Sequence, residues 1–236
     1  MSHPHTKEAA FETVIESHLL ANGYQPVSKN GYDKGLGIFP QTVIGFIKDT
    51  QLKEWQKLEA LLGTNTEQQV LQDLCRWMDN NGSLNTLRHG FKCYGRMLQI
   101  AFFKAAHTMN PELEKNYAAN VLGITRQLQY SAKNTNSLDV TLSVNGVPVA
   151  IIELKSAFTG QTAENAKQQY KTDRDPRELL FEFKRRTLVH FAVDTEQVFM
   201  TTRLAGGATY FLPFNKGNNG SAGNPADPNG RTYCTA

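Results

Sequence analysis

The sequence predicts an α/β protein in which helices flank a mixed β-sheet. Apolar residues recur at helical spacing near the amino terminus, in two further stretches and again beyond residue 160. Other stretches are short runs rich in β-branched and aromatic residues, which are typical of strands. Helices and strands in this order favour one mixed sheet covered on its faces. The 236 residues, 40% of them hydrophobic, are enough for one such domain over residues 1–214.

The helices of the first third are predicted from their spacing and their stop signals. Residues 6–20 carry apolar side chains at helical spacing, and Asn22-Gly23 then ends the pattern. Residues 50–62 and 67–78 are each amphipathic. Together they predict an inserted helical segment around residues 50–80.

The strands are expected mainly in the second half of the chain. Each candidate is apolar, β-branched or aromatic. The candidates are QTVIGFI, as a strand or a short apolar segment, then FKCYGRMLQIAFF, NVLGITRQLQY, LVHFAVD, QVFMTTRL and ATYFLPF. Two stretches of helical composition, residues 162–172 and 177–186, precede the last three strands and are separated by Pro176. Residues 215–236 are rich in Gly, Asn and Pro and predict a linker.

Composition restricts the function only weakly. The formal net charge of +3 permits contact with nucleic acid but does not require it. The three cysteines lack metal-ligand spacing, and their odd number indicates a reducing compartment. A secretion signal and long apolar runs are both missing, so we expect a cytoplasmic protein without membrane contact. No glycine-rich phosphate-binding loop occurs, which argues against an ATPase module in these residues.

The stretch NSLDVTLSVNGVPVAIIELKS, residues 136–156, places three ionisable groups inside two apolar strands. Side chains alternate along a strand, so residues of one parity share a face. Asp139 lies on the polar face of the first strand, and Glu153 and Lys155 lie on one face of the second. The opposite faces are almost wholly apolar and are expected to form core.

The turn between these strands decides whether the two acids meet. A two-residue loop of Asn145-Gly146 would place Asp139 and Glu153 on opposite faces. A three-residue loop with a glycine bulge pairs Ser143 with Val147 and returns both acids to one face, diagonal to each other. Since that register also sends both apolar sets to the core, we predict the bulged turn.

Two carboxylates on adjacent strands repel each other unless a proton or a cation lies between them. Mg²⁺, for which Mn²⁺ can substitute, fits a site made of Asp139, Glu153 and the backbone carbonyl of Leu154. Lys155 would orient or help deprotonate a water molecule, or stabilise charge that develops on a phosphate. The alternative is an exposed cross-strand ion cluster worth under about 1 kcal/mol and unrelated to chemistry.

These residues resemble the PD-(D/E)xK nucleases, whose first acid ends one strand and whose ExK motif closes the next. The match is Asp139 and Glu153-Leu154-Lys155. Leu138 stands in place of the motif's proline, a substitution common in the family. Longer stretches, among them RQLQYSAKNTNSLDVTLSVNGVPVAIIELKS, QQYKTDRDPRELLFEF and VHFAVDTEQVFMTTRLAGG, are similar to the amino-terminal region of the restriction (R) subunit of type I restriction-modification enzymes. The similarity runs over residues 11–217.

The resemblance implies a PD-(D/E)xK restriction-endonuclease-like core that cuts double-stranded DNA with Mg²⁺. Asp139, Glu153 and Lys155 would be its catalytic residues. It also implies a helicase-like motor beyond the linker, with ATP needed only by the full-length subunit, and assembly with modification and specificity subunits. By analogy with resolvase-like members, Glu12 could approach the metal, although it could equally be a solvent-facing helix residue; Glu16 is less favoured.

Many R subunits carry a Gln-xxx-Tyr motif on the helix after the ExK strand, but here Ala166 stands four residues before Tyr170. Gln169 and Tyr170 are still candidates for phosphate or base contacts, and Lys171 and Arg174 for backbone contacts. A solvated helix face would explain the same residues. Two other functions stay open: a stand-alone structure-specific or modification-dependent nuclease, and an inert DNA-binding or docking module.

Overall fold

A mixed β-sheet forms the centre of the protein. The computed structural model describes residues 4–104, 110–156 and 160–214, with side chains from residue 9 onward. Its strands are β1 (Tyr24–Pro26), β2 (Phe91–Cys93), β3 (Arg96–Leu98), β4 (Leu122–Gln129), β5 (Ser137–Val144), β6 (Val147–Leu154), β7 (Val189–Val193), β8 (Val198–Thr201) and β9 (Leu212–Pro213). β2 and β3 pair separately, and the other seven form one sheet in the order β1-β4-β5-β6-β7-β8-β9.

The predicted mixed sheet is confirmed. β1 runs parallel to β4, and β6 runs parallel to β7. The neighbours β4–β5, β5–β6, β7–β8 and β8–β9 are antiparallel. The antiparallel pair β5–β6 therefore lies at the middle of the sheet, where it is covered on both faces.

Helices surround this sheet. They are α1 (Pro4–Ala21), α2 (Pro40–Thr50), α3 (Leu52–Leu62), α4 (Thr66–Asn81), α5 (Ser83–His89), α6 (Pro111–Ala118) and α7 (Ala163–Thr172). α1, α3, α4 and α7 lie where the sequence predicts helices. In the part of the chain that the structure describes, no helix is both long and apolar enough to cross a bilayer.

The segment QTVIGFI is helical, so its prediction as a strand is wrong. It belongs to α2, which begins at Pro40 and buries Val43, Ile44 and Ile47. Proline is favoured in the first turn of a helix, and the buried positions follow helical spacing. Seven residues are too few to distinguish a helix from a strand by periodicity alone.

Two other predicted elements are also wrong. FKCYGRMLQIAFF forms the short β2–β3 hairpin instead of one long strand, because Tyr94 and Gly95 take left-handed conformations (φ 46° and 75°) and reverse the chain. Residues 177–186 form turns instead of a helix. This segment is anchored where Arg186 donates hydrogen bonds to Asp79 Oδ1 (2.7 Å) and to the carbonyl of Leu36 (2.8 Å).

One helix covers each face of the β5–β6 pair. The α1 side chains, including Phe11 and Ile15, pack with Val140 of β5 and Leu154 of β6. On the other face, Ala166 and Tyr170 of α7 belong to one buried cluster with Ile151 of β6. Both faces of this hairpin are therefore buried, which explains why its strands read as almost continuously apolar.

The helices α2 to α5 and the β2–β3 hairpin share a separate core. Its buried members include Ile44, Ile47, Trp55, Leu58, Leu74, Met78, Phe91 and Leu98. The core joins the sheet at Val147, the first residue of β6. This helical layer occupies residues 40–89, so it includes the predicted segment 50–80 and extends beyond it at both ends. The predicted linker, residues 215–236, lies outside the described residues.

The β5–β6 turn contains two residues, so the predicted three-residue loop is wrong. Val144 pairs with Val147, and Asn145 and Gly146 form the turn with φ values of 51° and 87°. Positive φ at both central residues is the signature of a type I′ turn, which suits the twist of a hairpin. The prediction failed because it assigned the parity change to the turn itself.

The parity change occurs inside the strands. Ser143 pairs with Pro148, whereas Leu142 pairs with Ala150, so a β-bulge leaves one extra residue in β6. Continuing this register from the pair Val140–Ile152 places Asp139 directly opposite Glu153, not diagonal to it. The two acids therefore still come close together, but through a bulge within the strands and not through a bulged turn.

Candidate active site

Asp139 lies where β5 and β6 separate. The last ladder pair on this side is Val140–Ile152. Beyond it, Asp139 Oδ2 accepts a hydrogen bond from the backbone N–H of Leu154 (2.8 Å), and Oδ1 accepts one from Gln127 Nε2 (3.2 Å). The carboxylate thus takes the position that a strand carbonyl would take in the ladder, and it is fixed beside the end of β6.

Glu153 is the buried acid of the site. Its side chain is 0% exposed, and Oε1 accepts hydrogen bonds from Arg174 Nε (2.9 Å) and Nη2 (2.7 Å). Oε2 is also buried but has no hydrogen-bond partner in the described part of the chain. Burial raises the pKa of Glu153 to about 8, against the lowering effect of Arg174, and the charge of Asp139 raises it further.

Lys155 follows directly after β6. Its backbone N–H donates to the carbonyl of Val193 in β7 (2.8 Å), and its side chain is half-buried. Within the residues that the structure describes, the ammonium group makes no hydrogen bond or ion pair, yet its charge is close enough to favour the ionised form of Glu153.

The buried carboxyl groups of the site fit a bound cation. An orphaned, buried carboxylate oxygen is costly, and a cation removes that cost. Glu153 Oε2 is such an atom, and the negative charge of Asp139 lies near it. No cluster of three or more His, Cys, Asp or Glu side chains in the described ranges could hold a metal by itself. Two carboxylates, the Leu154 carbonyl and water would suit Mg²⁺, which binds few protein ligands.

Glu12 lines the site from α1. It is only 5% exposed, and its oxygens accept hydrogen bonds from Arg126 Nε (3.0 Å) and Gln127 Nε2 (2.7 Å). Burial raises its pKa, and Asp139 adds to the effect. Glu16, one turn later, binds Arg126 Nη1 (2.8 Å). The alternative of a solvent-facing Glu12 is wrong, but both of its oxygens are engaged by donors.

Tyr170 and Arg174 do not fit the predicted contacts with DNA, because both are buried. Tyr170 is 0% exposed, and its hydroxyl lies 3.2 Å from the carbonyl oxygens of Ile151 and Phe191. Arg174 is 3% exposed and, besides Glu153, its Nη2 donates to the carbonyl of Ser137 (2.8 Å). Both residues support the wall of the site.

Gln169 and Lys171 are half-buried on α7. Gln169 lines a polar cavity of about 570 Å³ together with Ser137, Asp173 and Arg174. This cavity opens beside the Arg174–Glu153 pair. The predicted DNA contacts of Gln169 and Lys171 are compatible with these positions.

Sequence reasoning did not identify Gln127, the residue that links Glu12 to Asp139. The only sequence signal for Gln127 was a polar residue inside the predicted strand NVLGITRQLQY. That signal is weak, because Gln129 in the same strand is also polar but is exposed. Gln127 contacts Asp139, which lies 12 residues away in the sequence, and Glu12, which lies 115 residues away. Sequence patterns do not reveal contacts over such distances. Arg174 was singled out, but for a different role.

Comparison with known proteins identifies the family of the chain. The family model described as Type I restriction enzyme R protein N terminus matches residues 5–209 of the chain. No curated protein sequence matches the chain. The matched range contains every residue of the candidate site.

Proposed function

The chain belongs to the family of type I restriction enzyme R protein N termini, and we propose that it is the endonuclease domain of such an R subunit. In this proposal it has a PD-(D/E)xK core and hydrolyses phosphodiester bonds of double-stranded DNA with Mg²⁺. The observation that carries the proposal is the buried, unpartnered Oε2 of Glu153, which lies near the charge of Asp139 just beyond the last ladder pair, Val140–Ile152.

The proposed ligands are Asp139, Glu153 and the backbone carbonyl of Leu154, and Mn²⁺ can replace Mg²⁺. When bound, the ion supplies a positive charge that activates water and polarises the phosphate. The hydrogen bonds of Asp139 to Leu154 N–H and of Glu153 to Arg174 support this set, because they fix both carboxylates before any ligand arrives.

Lys155 is proposed to act on the reacting groups. Its ammonium Nζ can hydrogen-bond a non-bridging phosphate oxygen and stabilise the charge that develops there. It can also orient the attacking water. The position of its charge, close enough to Glu153 to favour the ionised carboxylate, supports this role.

The proposal also covers DNA binding, the choice of the DNA site and the use of ATP. DNA would approach α7 at Gln169 and Lys171, beside the polar cavity. The modification and specificity subunits would select the DNA site, and ATP would act only in the rest of the R subunit.

Cleavage by the complete R subunit in its assembled complex tests the proposal. Asp139→Asn, Glu153→Gln and Lys155→Ala should each abolish cutting while leaving ATP hydrolysis intact. The matched control is Asp175→Asn, which alters an acid that only pairs with Arg177 at the surface. Full cleavage by the Asp139→Asn complex would exclude the proposed site.

The other two functions give different results. An inert docking module would show no Mn²⁺ binding that depends on both Asp139 and Glu153. A stand-alone nuclease would cut branched or modified DNA as the isolated chain, without the other subunits. Calorimetric titration with Mn²⁺ and a cleavage assay on such substrates therefore distinguish the three.

A further inference from the structure

Gln127 joins the two acids that lie on either side of it. Its Nε2 donates one hydrogen bond to Glu12 Oε1 (2.7 Å) and one to Asp139 Oδ1 (3.2 Å). We infer that Gln127 is a positioning residue that fixes Asp139 for cation binding and connects the site to α1. This inference rests on the proposed function, and it concerns a residue that acts only through Asp139.

The orientation of the Gln127 amide is determined by its neighbours. The primary amide has two N–H donors and one carbonyl acceptor. Ser137 Oγ donates to Gln127 Oε1 (2.9 Å), while Nε2 faces the two carboxylates. The flipped amide would direct its oxygen at both acids and leave the Ser137 hydroxyl facing an N–H group. One orientation alone therefore satisfies every partner.

The backbone of Gln127 is held in an unusual conformation. Its φ is +50°, although its neighbours Arg126 and Leu128 pair regularly with Val140 and Leu138. A left-handed conformation costs a non-glycine residue roughly 1–2 kcal/mol. Such strain persists where the surroundings fix it, and it is concentrated at functional sites. In this conformation the side chain of Gln127 reaches Asp139, the residue opposite it in the register.

The second acid makes Gln127 a link to α1. Arg126 holds the other oxygen of Glu12 (3.0 Å) and also Glu16 (2.8 Å), so α1 is tied to β4 by two salt bridges. Gln127 extends this network to Asp139. An uncharged donor placed between Glu12 and Asp139 also reduces the repulsion between them, which a glutamate at this position would increase.

Mn²⁺ titration of the 236-residue chain tests the inference. Gln127→Met keeps most of the volume and removes all three hydrogen bonds, so Mn²⁺ should bind about 10- to 100-fold more weakly, as is usual for a lost outer partner of a metal ligand. The control Gln129→Met, on the same strand and exposed, should bind like the wild type. Asp139→Asn should lose the binding.

A second variant separates positioning from a structural role. Glycine accepts φ +50° without strain, so Gln127→Gly should unfold at least as late in urea as Gln127→Met. If Gln127 positions Asp139, Gln127→Gly still binds Mn²⁺ as weakly as Gln127→Met. Recovery of wild-type affinity in Gln127→Gly would overturn the inference.

These measurements distinguish a failure of the positioning role of Gln127 from a failure of the proposed function. Wild-type affinity in both Gln127 variants, with binding lost in Asp139→Asn, overturns the positioning role and leaves the proposed function standing. A wild-type chain whose Mn²⁺ binding does not depend on Asp139 and Glu153 overturns both.

Discussion

Arg174 donates two hydrogen bonds to a single oxygen of Glu153, from Nε at 2.9 Å and from Nη2 at 2.7 Å. The two side chains are 2% and 0% exposed. A buried ion pair of this kind is not a strong source of stability by itself, because both groups lose their hydration. Removing one partner is costly, however, since the other is left as an unpaired buried group.

Arg174→Met should therefore lower the free energy of unfolding by about 3–5 kcal/mol. The measurement is urea denaturation of the metal-free chain above about pH 8, where folded Glu153 is ionised. Arg177→Met is the matched control, because Arg177 is 87% exposed and pairs with Asp175 at the surface; its cost should be much smaller than that of Arg174→Met. Equal stability of the two variants would show that Arg174 does not support Glu153.

The stability of the metal-free chain should depend on pH through Glu153. Burial raises its pKa from 4.5 to about 8 in the folded state. Between these values the folded protein keeps the proton that the unfolded chain has released, so stability falls as pH rises, by at most about 1.4 kcal/mol per pH unit. Below pH 4.5 both states are protonated and above about pH 8 both are ionised, so this contribution is constant there.

Glu153→Gln should remove that pH dependence. Urea denaturation at about pH 5 and about pH 7.5 should show a smaller decline for the variant than for the wild type. Asp175→Asn is the control, since side-chain and backbone hydrogen bonds from Arg177 lower the pKa of Asp175 to about 2, outside the tested range. Parallel declines in the wild type and Glu153→Gln would contradict the raised pKa.

Local patterns in the sequence were sufficient to predict the strands and most helices near the site. Alternation in residues 136–156 predicted that Asp139 and Glu153 share a face, because that arrangement places the more apolar set of each strand together on the other face. It could not show where the register shifts, since a bulge at either the turn or the strand satisfies the same pattern. In the structure the register shifts within the strands, and Gly146 of the turn packs against Phe39 and Val43, more than 100 residues earlier in the chain.

Gly146→Ala should therefore destabilise the protein strongly. An added Cβ would lie 2.6 Å from the carbonyl oxygen of Phe39 and 2.9 Å from Val43 Cγ2, at a φ of +87°. Gly95→Ala is the matched control, because Gly95 also has a positive φ (+75°) but no atom within 4 Å of its added Cβ. Strain alone should cost Gly95→Ala about 1–2 kcal/mol, and the clash should add ~1–3 kcal/mol for Gly146→Ala. Thermal unfolding of both variants measures the difference, and equal losses would contradict the close packing.

The side-chain partners of the site could not be predicted in the same way. The strand pattern places Asp139 and Glu153, but Arg174 reaches Glu153 across 21 residues and Gln127 reaches Glu12 across 115. Arg174 follows a helix, where a basic residue is normally exposed, so the sequence indicated that it would contact DNA. Burial, which is a property of the assembled fold, gives Arg174 a different role.

The same distinction between buried and accessible residues on α7 predicts which of them affects DNA binding. Tyr170→Phe removes a hydroxyl that contacts two carbonyl groups in the core, so it should lower stability by about 0.5–1.5 kcal/mol and leave DNA affinity unchanged. Lys171→Ala should leave stability within about 0.5 kcal/mol. It should weaken DNA binding and reduce its salt dependence by about one phosphate contact. Fluorescence anisotropy of labelled duplex DNA at several salt concentrations measures both variants. Weaker binding by Tyr170→Phe, with Lys171→Ala unchanged, would contradict the proposed division of α7 into a buried Tyr170 and a DNA-contacting Lys171.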